Sequence, residues 1–420
     1  MEDPPLTLSQ TSKLASEVYR HVDPLNFYEN FLKEGIRPDG RKLCSYRKFS
    51  VKNLLESTPN LVSFKSQRAH KPPLDSIMNS QNEWLSNTNL LTCNNKNVLL
   101  SSIYLSCGNS SYHCKVTGDL ISTQLNNWAL NSSGSEKTLS VDVTVPKHVV
   151  NEIYDLNGPC INISHLVSDL LESVLNSSHI IPKEQFLYYE SYLKSYDESS
   201  NRGEINKVCK YLKMNHLRWK LNVEIICDEY DGNLLDMCFL CCSHALLKSK
   251  IPFVLLYPTN NTFSPIQFNQ LFDNITASSY GDLLKNKDFC KLVDLNKELL
   301  YLQAGKFNNS ITDLNALIRT LVEDGHNVLF FNHIPLTFTF CKSLNYFLLD
   351  PTMEDEQTGV NYSIYALKKW NGSNLNASQR NSSADVQLQP LNLMGLSDVS
   401  DETLNKLYEV VYSMLGSFFQ

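Results

Sequence analysis

The chain has 420 residues, 42% of them hydrophobic and 19% charged, with a formal net charge of −7. That length accommodates a large core or two domains, and the acidic balance excludes a strongly basic, self-sufficient nucleic-acid binder. No apolar run approaches the roughly twenty residues of a membrane helix, and the opening MEDPPLTLSQ lacks a signal-peptide core, so the twelve cysteines are expected as free thiols in a reducing compartment.

Residues 1–22 read as a loosely ordered tail. A short helix then follows, with Asp23 as cap, Pro24 in the first turn, Gly35 at the end, and Leu25, Tyr28, Phe31 and Leu32 as its apolar stripe. Pro38-Asp39-Gly40 is a turn with a mechanism: Pro fixes φ, Asp bonds the backbone ahead, and Gly accepts positive φ. Arg37 and Arg41 flank this corner, and with Lys33, Lys42, Arg47 and Lys48 they form the strongest basic concentration in the chain.

Arg47–Val51 reads as a first strand, and the polar residues 57–97 as an insertion. Val98–Leu105 and Tyr112–Val116 read as strands joined at Gly108-Asn109, a hairpin signal. Residues 125–138 are a polar loop, and Val141–Val145 alternates as a strand. Ile163, Leu166, Val167, Leu170, Leu171, Val174 and Leu175 recur at helical spacing, with Asn162 or Ser164 as cap.

Residues 191–216 are charged and predict a surface excursion. From Trp219 to Cys227 apolar and polar residues alternate, which predicts a strand with one buried face. Asp231-Gly232 makes a turn into a helix over 234–248, which Ile251-Pro252 ends. Residues 255–320 predict a divergent insertion with helices, strands fall within 328–349 and at Asn361–Leu367, and residues 370–390 read as disordered. Asp401–Leu415 is an amphipathic helix with Leu404, Leu407, Tyr408, Val411 and Leu415 on one face. Strands mixed with helices that cover one side imply an α+β class.

No nucleotide-binding glycine loop and no hydrolase elbow occurs. Cys238-x-x-Cys241, with His244 nearby, lacks a second ligand pair and reads as core cysteine, so neither a metal nor a cofactor is expected. The lone histidines His113, His165 and His333 lack a partnered Ser or Cys, and Glu354-Asp355-Glu356 reads as a solvated loop.

Three blocks carry a resemblance: Gly35-Ile36-Arg37-Pro38-Asp39-Gly40-Arg41; Trp219 to Asp236, containing Tyr-Asp-Gly-Asn-Leu-Leu-Asp; and His333 to Phe340, followed by Asp350-Pro351-Thr352 and the acidic run. Their order and spacing resemble the RNase PH-like subunits of the eukaryotic RNA exosome. The resemblance implies an RNase PH-like fold with ribosomal protein S5 domain 2-like βαβ halves and helices packed on mixed sheets. It divides the chain into a first subdomain over 23–254, with insertions near 57–97 and 191–216, the insertion at 255–320, and a second subdomain over 321–420 that ends in a helix.

Phosphorolysis of RNA requires cationic donors for phosphate, a carboxylate near the scissile linkage and a basic groove. Active relatives place arginines on the helix that corresponds to residues 163–176 and carry a Gly-Gly-Thr-Arg type run after the Asp-Gly turn. This chain has Asn233-Leu234-Leu235-Asp236 after that turn, and its helix has Asp169 and Glu172 but no Arg or Lys. The resemblance therefore implies a non-catalytic ring subunit that shapes the RNA channel during 3′→5′ decay and ribosomal RNA processing. The alternatives are half of a composite phosphorolytic site and another silent seat in the same ring.

The implied partners are other RNase PH-like ring subunits, S1/KH cap proteins, hydrolytic ribonucleases and threaded RNA, in nucleus, nucleolus and cytoplasm. Arg37, Arg41, Arg47 and Lys48 stand as candidates for RNA or subunit contact, or for holding the corner itself. Pro38, Asp39, Gly40, Asp231, Gly232, Asp236, Asp350 and Pro351 are motif positions read as structural.

Overall fold

A computed structural model describes residues 18–20, 22–57, 98–122, 137–145, 163–177, 180–182, 185–186, 217–258, 263–267, 287–307, 326–329, 331–369, 386–391 and 400–415. Most of the tail and nearly all of the expected insertions and loop at 57–97, 125–138 and 191–216 lie outside these residues. Among the described residues no helix is long and apolar enough to cross a membrane.

Helix α1 (Pro24–Lys33) starts where the cap predicts, with the Asp23 carboxylate accepting from the Asn26 N–H, and its chain reverses at Gly35 with φ +75°. Phe27, Tyr28 and Leu32 form its buried face, whereas Phe31 is only half-buried. Strand β1 (Phe49–Asn53) and the single turn α2 (Leu54–Ser57) follow. The strand begins two residues later than expected because the Arg47 N–H is bonded to the Asp350 carboxylate at 2.8 Å rather than to a neighbouring strand.

Strands β2 (Val98–Cys107), β3 (Ser110–Ser122), β4 (Leu139–Thr144) and β5 (Leu217–Glu229) join β1 in one sheet, in the order β1-β2-β3-β5-β4. Cys107 pairs with Ser110 across Gly108, whose φ is +59°, so the expected hairpin closes in two residues. β4 is parallel to β5, and helix α3 (Ile163–Leu175) lies on β4, which makes a βαβ crossover. The Asn176 amide bolts the end of α3 to the start of β4: its Oδ1 accepts from the N–H groups of Thr138 (3.0 Å) and Leu139 (3.1 Å), and its Nδ2 donates to the Leu139 carbonyl (2.8 Å). Leu166 breaks the expected stripe and is 39% exposed.

Helix α4 (Leu234–Leu247) has no polar face because it has no wet side. It packs on β2, β3 and β5 and also on β10 (His333–Ser343), and every residue from Asp236 to Ser243 is buried. On one side Phe239 meets Tyr365 with ring centroids 6.2 Å apart and Ser243 donates to the Pro335 carbonyl at 2.9 Å; on the other the Ser101 hydroxyl donates to the Ala245 carbonyl at 2.7 Å. Cys238, Cys241 and Cys242 are buried in this helix.

The second sheet is antiparallel: β11 (Tyr346–Leu349), β10, β12 (Val360–Lys369) and β13 (Val386–Leu391), in that order. β13 corrects the sequence reading, because residues 386–390 were expected to be disordered yet pair in register with β12. Its Pro390 sits on an edge strand, where the missing N–H is not needed. Helix α6 (Met353–Thr358) and helix α7 (Asp401–Met414) complete this half, with Leu407, Val411 and Leu415 buried from α7.

On either side of the divergent segment, β6 (Lys250–Pro252) pairs with β9 (His326–Val328), and at its start β7 (Val254–Pro258) pairs with β8 (Phe263–Gln267). Helix α5 (Lys287–Phe307) closes the other edge of β7 with two side-chain amides. Asn296 accepts from the Leu256 N–H (2.8 Å) and donates to its carbonyl (3.0 Å), and Gln303 does the same for Val254 (2.8 Å each). Seven residues apart on one helix, the two amides stand in for a neighbouring strand. Pro252 and Pro258, which have no N–H, flank them along the same edge.

Replacing Asn296 or Gln303 with Leu leaves a buried N–H and carbonyl unpaired, so each change is expected to cost about 1–3 kcal/mol. Urea unfolding measures that loss. Faster amide hydrogen exchange confined to Val254 and Leu256 locates it.

Candidate functional site

The motif positions converge on one carboxylate. After α1, the corner closes through the Gly40 N–H to the Arg37 carbonyl and the Arg37 N–H to the Arg41 carbonyl, each 2.8 Å, and Gly40 takes φ +83°. Asp39 accepts from the Arg41 N–H (2.9 Å) and from its Nε (2.6 Å). The corner is rigid, and it turns its guanidinium groups inward.

Arg37 is 1% exposed; it donates to the Leu349 carbonyl (2.7 Å) and the Asp350 carbonyl (3.2 Å), and it is ion-paired with Asp355. Arg41 reaches Asp350 Oδ2 at 3.0 Å and its carbonyl at 3.2 Å. Arg47 holds the Asp350 carboxylate with both sides of its fork, Nε to Oδ2 and an Nη to Oδ1, each 2.9 Å. The rest of the Arg47 fork donates to the carbonyls of Asp231 (2.6 Å), Gly232 (3.3 Å) and Pro351 (3.4 Å). Arg37 and Arg47 therefore present no guanidinium outside the chain, Arg41 is mostly enclosed, and Lys48 alone of the four contact candidates is exposed.

The Asp231-Gly232 turn delivers the remaining ligand of Asp350. Gly232 has φ +80°, and a Cβ there would lie 2.4 Å from the Thr352 carbonyl carbon, so neither its backbone nor its space admits a side chain. Asn233 also takes positive φ (62°); its Nδ2 bridges Asp350 Oδ1 (2.7 Å) and Asp236 Oδ2 (2.9 Å). Asp236 lies in the first turn of α4, but its main partner is not the helix: it accepts from the Thr339 N–H and hydroxyl, each 2.8 Å. Asp231 itself is a turn residue at the surface, with its N–H on Ser110 Oγ (2.8 Å).

The acidic run is not the solvated loop expected of it. Thr352 and Asp355 form a capping box that starts α6, and the three carboxylates point at three different elements. Glu354 accepts from the Tyr28 hydroxyl (2.6 Å) and pairs with Arg20; Asp355 takes Arg37; Glu356 accepts from the Tyr230 hydroxyl (2.6 Å), the Asn233 N–H (3.0 Å) and Asn361 (3.1 Å). The tyrosines, Asn233 and Thr339 were missed in the sequence, although Thr352-x-x-Asp355 carries a readable capping signal.

Electrostatics follow from this packing. Burial pushes the Asp350 carboxyl up, but the Arg47 hydrogen bonds and charge, with Asn233 and Arg41, more than offset it and hold the group below the usual carboxylate range. Asp236, fully enclosed and without a cation, is pushed up to about 6 by burial, against its hydrogen bonds from Thr339 and Asn233. Burial and the Glu356 carboxylate raise the Tyr230 hydroxyl, which stays a donor. Three guanidinium groups thus face Asp39, Asp231, Asp350 and Asp355.

Helix α3, where the resemblance sets phosphate-binding arginines, offers none. Glu172 pairs with Lys137 and accepts from the Val141 N–H (3.4 Å), and Asp169 and His165 are exposed. His113 is bonded through Nε2 to the Ser102 hydroxyl at 2.9 Å. Among the described residues no group of three His, Cys, Asp or Glu has metal-binding geometry.

Asp350→Ala strands the buried Arg47 and is expected to cost about 3–5 kcal/mol in urea unfolding, and Arg47→Lys is expected not to restore the two-pronged contact. Because the folded-state pKa of Asp350 lies below its unfolded value, its contribution is present above that unfolded value and fades as pH falls through the folded one. The acid limb of the wild-type stability curve is therefore expected to flatten in Asp350→Ala.

Residues 85–252 match the RNase_PH family, described as the 3′ exoribonuclease family, domain 1. Among solved structures, the chain is similar to the Archaeoglobus fulgidus exosome with RNA bound to the active site (11% identity, 97% of this chain and 100% of that one, TM-score 0.44). It is similar also to an archaeal exosome core (11%, 98% and 100%, TM-score 0.43) and to rice (Oryza sativa) Rrp46 (11%, 91% and 97%, TM-score 0.34). The matched residues take in strands β2 to β5 and helix α4 of an α+β chain.

Proposed function

We propose that the chain is a non-catalytic subunit of an RNA exosome ring, which shapes the RNA channel and holds partner subunits during 3′→5′ decay and ribosomal RNA processing. One observation carries this reading: in a chain with an RNase PH match, the guanidinium groups beside the motif turn are matched by carboxylates, and α3, within the matched residues, bears carboxylates in place of cations. A phosphate dianion needs donors that are free to meet it, and enclosed guanidinium groups already paired with carboxylates, that of Arg47 with both prongs, are not free. Its partners in this reading are other RNase PH-like ring subunits, S1/KH cap proteins and separate hydrolytic ribonucleases, in nucleus, nucleolus and cytoplasm. The run Tyr230-Asp231-Gly232-Asn233-Leu234-Leu235-Asp236 resembles that of exosome component eight, also called ribosomal RNA-processing protein forty-three, and this favours that seat.

Mild affinity purification followed by native mass spectrometry is expected to recover the chain in a multi-subunit particle with other RNase PH-like chains. The purified chain is expected to release no nucleoside diphosphates from RNA in phosphate. Asp231→Ala is expected to leave decay by the assembled particle unchanged; loss of phosphorolysis with assembly intact would overturn the silent-subunit reading.

A further inference from the structure

The sheet β1-β2-β3-β5-β4 covers its core with one face, and strand alternation assigns the residues of the other. Arg47, Phe49 and Val51 point inward, so Lys48, Ser50 and Lys52 point out along the edge strand, and all three are exposed. The Ser50 and Ser106 hydroxyls meet at 2.8 Å, which fixes the neighbouring register on this outer face. Lys52 is paired with Tyr104, Tyr104 with His113, and Ser102 with Lys115. The outer face of β1–β3 therefore carries a row Lys52–Tyr104–His113 across the strands, with Lys48 and Lys115 to either side.

Three properties set this face apart. No carboxylate pairs with Lys48, Lys52 or Lys115 among the described residues, although the chain as a whole is acidic. Two partly exposed aromatic rings stand side by side, and the Ser102 hydroxyl at 2.9 Å fixes the orientation of one of them. Carboxylates enter this face at Asp119, towards the far end of β3, and at Glu224 on β5, which is the register partner of Lys115 on one side and of the exposed Asp142 on the other. Lys48 and Lys52 at the edge, the two rings in the middle and carboxylates from the far end of β3 onward make a strip that takes a polyanion on one side only.

We infer that the outer face of β1–β3 is a platform for single-stranded RNA, with bases stacked on Tyr104 and His113 and the backbone held by Lys48 and Lys52. Stacking on exposed rings beside lysines is how single strands are bound without sequence readout. Lys48 and Lys52, four residues apart on an extended chain, are separated by about 13 Å along the strand, so they meet different phosphates. The inference rests on the reading of this chain as part of an RNA-handling ring, but it concerns a surface that lies apart from the motif knot.

The test is fluorescence anisotropy of a labelled uridine decamer with the purified full chain across a salt series. Lys48→Ala and Lys52→Ala are each expected to lower the salt slope by about 0.7, the contribution of one single-strand phosphate contact. Tyr104→Ala is expected to weaken binding at least about fivefold, while Tyr104→Phe, which keeps the ring, binds as wild type. Circular dichroism melting checks that each variant folds. A wild-type chain that does not bind the decamer at low salt, or variants with unchanged affinity and slope, would overturn the platform. The same holds if the lysine variants bind RNA normally but lose co-purifying subunits, which would make the face a protein interface. Lysine and tyrosine effects as expected, in a chain that never recovers ring subunits, would uphold the platform and remove the ring reading.

Discussion

The Asp350 carboxylate is the point on which the two halves of the molecule meet. It sits with φ +55° at the end of β11, fully buried, and is held from three directions: by Arg41 and Arg47 from the N-terminal corner and by Asn233 from the start of α4. A buried carboxylate is tolerable only when its lone pairs are filled and its charge matched, and five donor contacts accomplish both. Each of those donors is itself fixed: Arg41 by Asp39, Arg47 by the carbonyls of the Asp231 turn, Asn233 by Asp236. Loss of the carboxylate would free the corner, the turn and the helix start together.

The same accounting governs the apolar interior. α4 is buried between both sheets, and polar contacts tie each of its ends to one of them: its Asp236 carboxylate accepts from the Thr339 N–H and hydroxyl of β10, and Ser101 of β2 donates to the Ala245 carbonyl near its end. The divergent segment meets the identical requirement differently. β7 has a covered edge with no strand to pair it, and Asn296 and Gln303 supply the missing donors and acceptors. In each case a polar side chain appears inside the fold where the backbone would otherwise be orphaned.

Local chemistry made much of this legible in the sequence: the Pro38-Gly40 turn, the Asp23 cap, the Gly108 hairpin, the alternation of β5 and the all-round apolar α4. Partners were not legible, because Arg37 and Asp355 are 318 positions apart and a charge in a sequence carries no sign of which charge it meets. Arg37 and Arg47 consequently looked as available as Lys48, and Glu354-Asp355-Glu356 looked like solvent-facing charge. β13 was hidden for a simpler reason: Val386 and Leu388 alternate with Gln387 and Gln389, but the Asn- and Ser-rich residues before them dominate any window. Asn296 and Gln303 leave a weak trace, two amides seven apart on the same helix as buried Leu292 and Leu299.

The division of the basic cluster is a consequence of strand geometry. Side chains on an extended chain alternate, so once Arg47 is drawn inward by Asp350, Lys48 must face out, and Ser50 and Lys52 follow it. The guanidinium groups go inside because a planar fork can satisfy a carboxylate and several carbonyls at once, which an ammonium cannot. The lysines stay outside because their compact, strongly hydrated charge is costly to bury and cheap to leave in water. A corner that appears from composition to be one basic patch is therefore two: an inner set held by carboxylates of this chain, and an outer set along β1 that pairs with no carboxylate among the described residues. Any polyanion that this segment meets must be met by the second set.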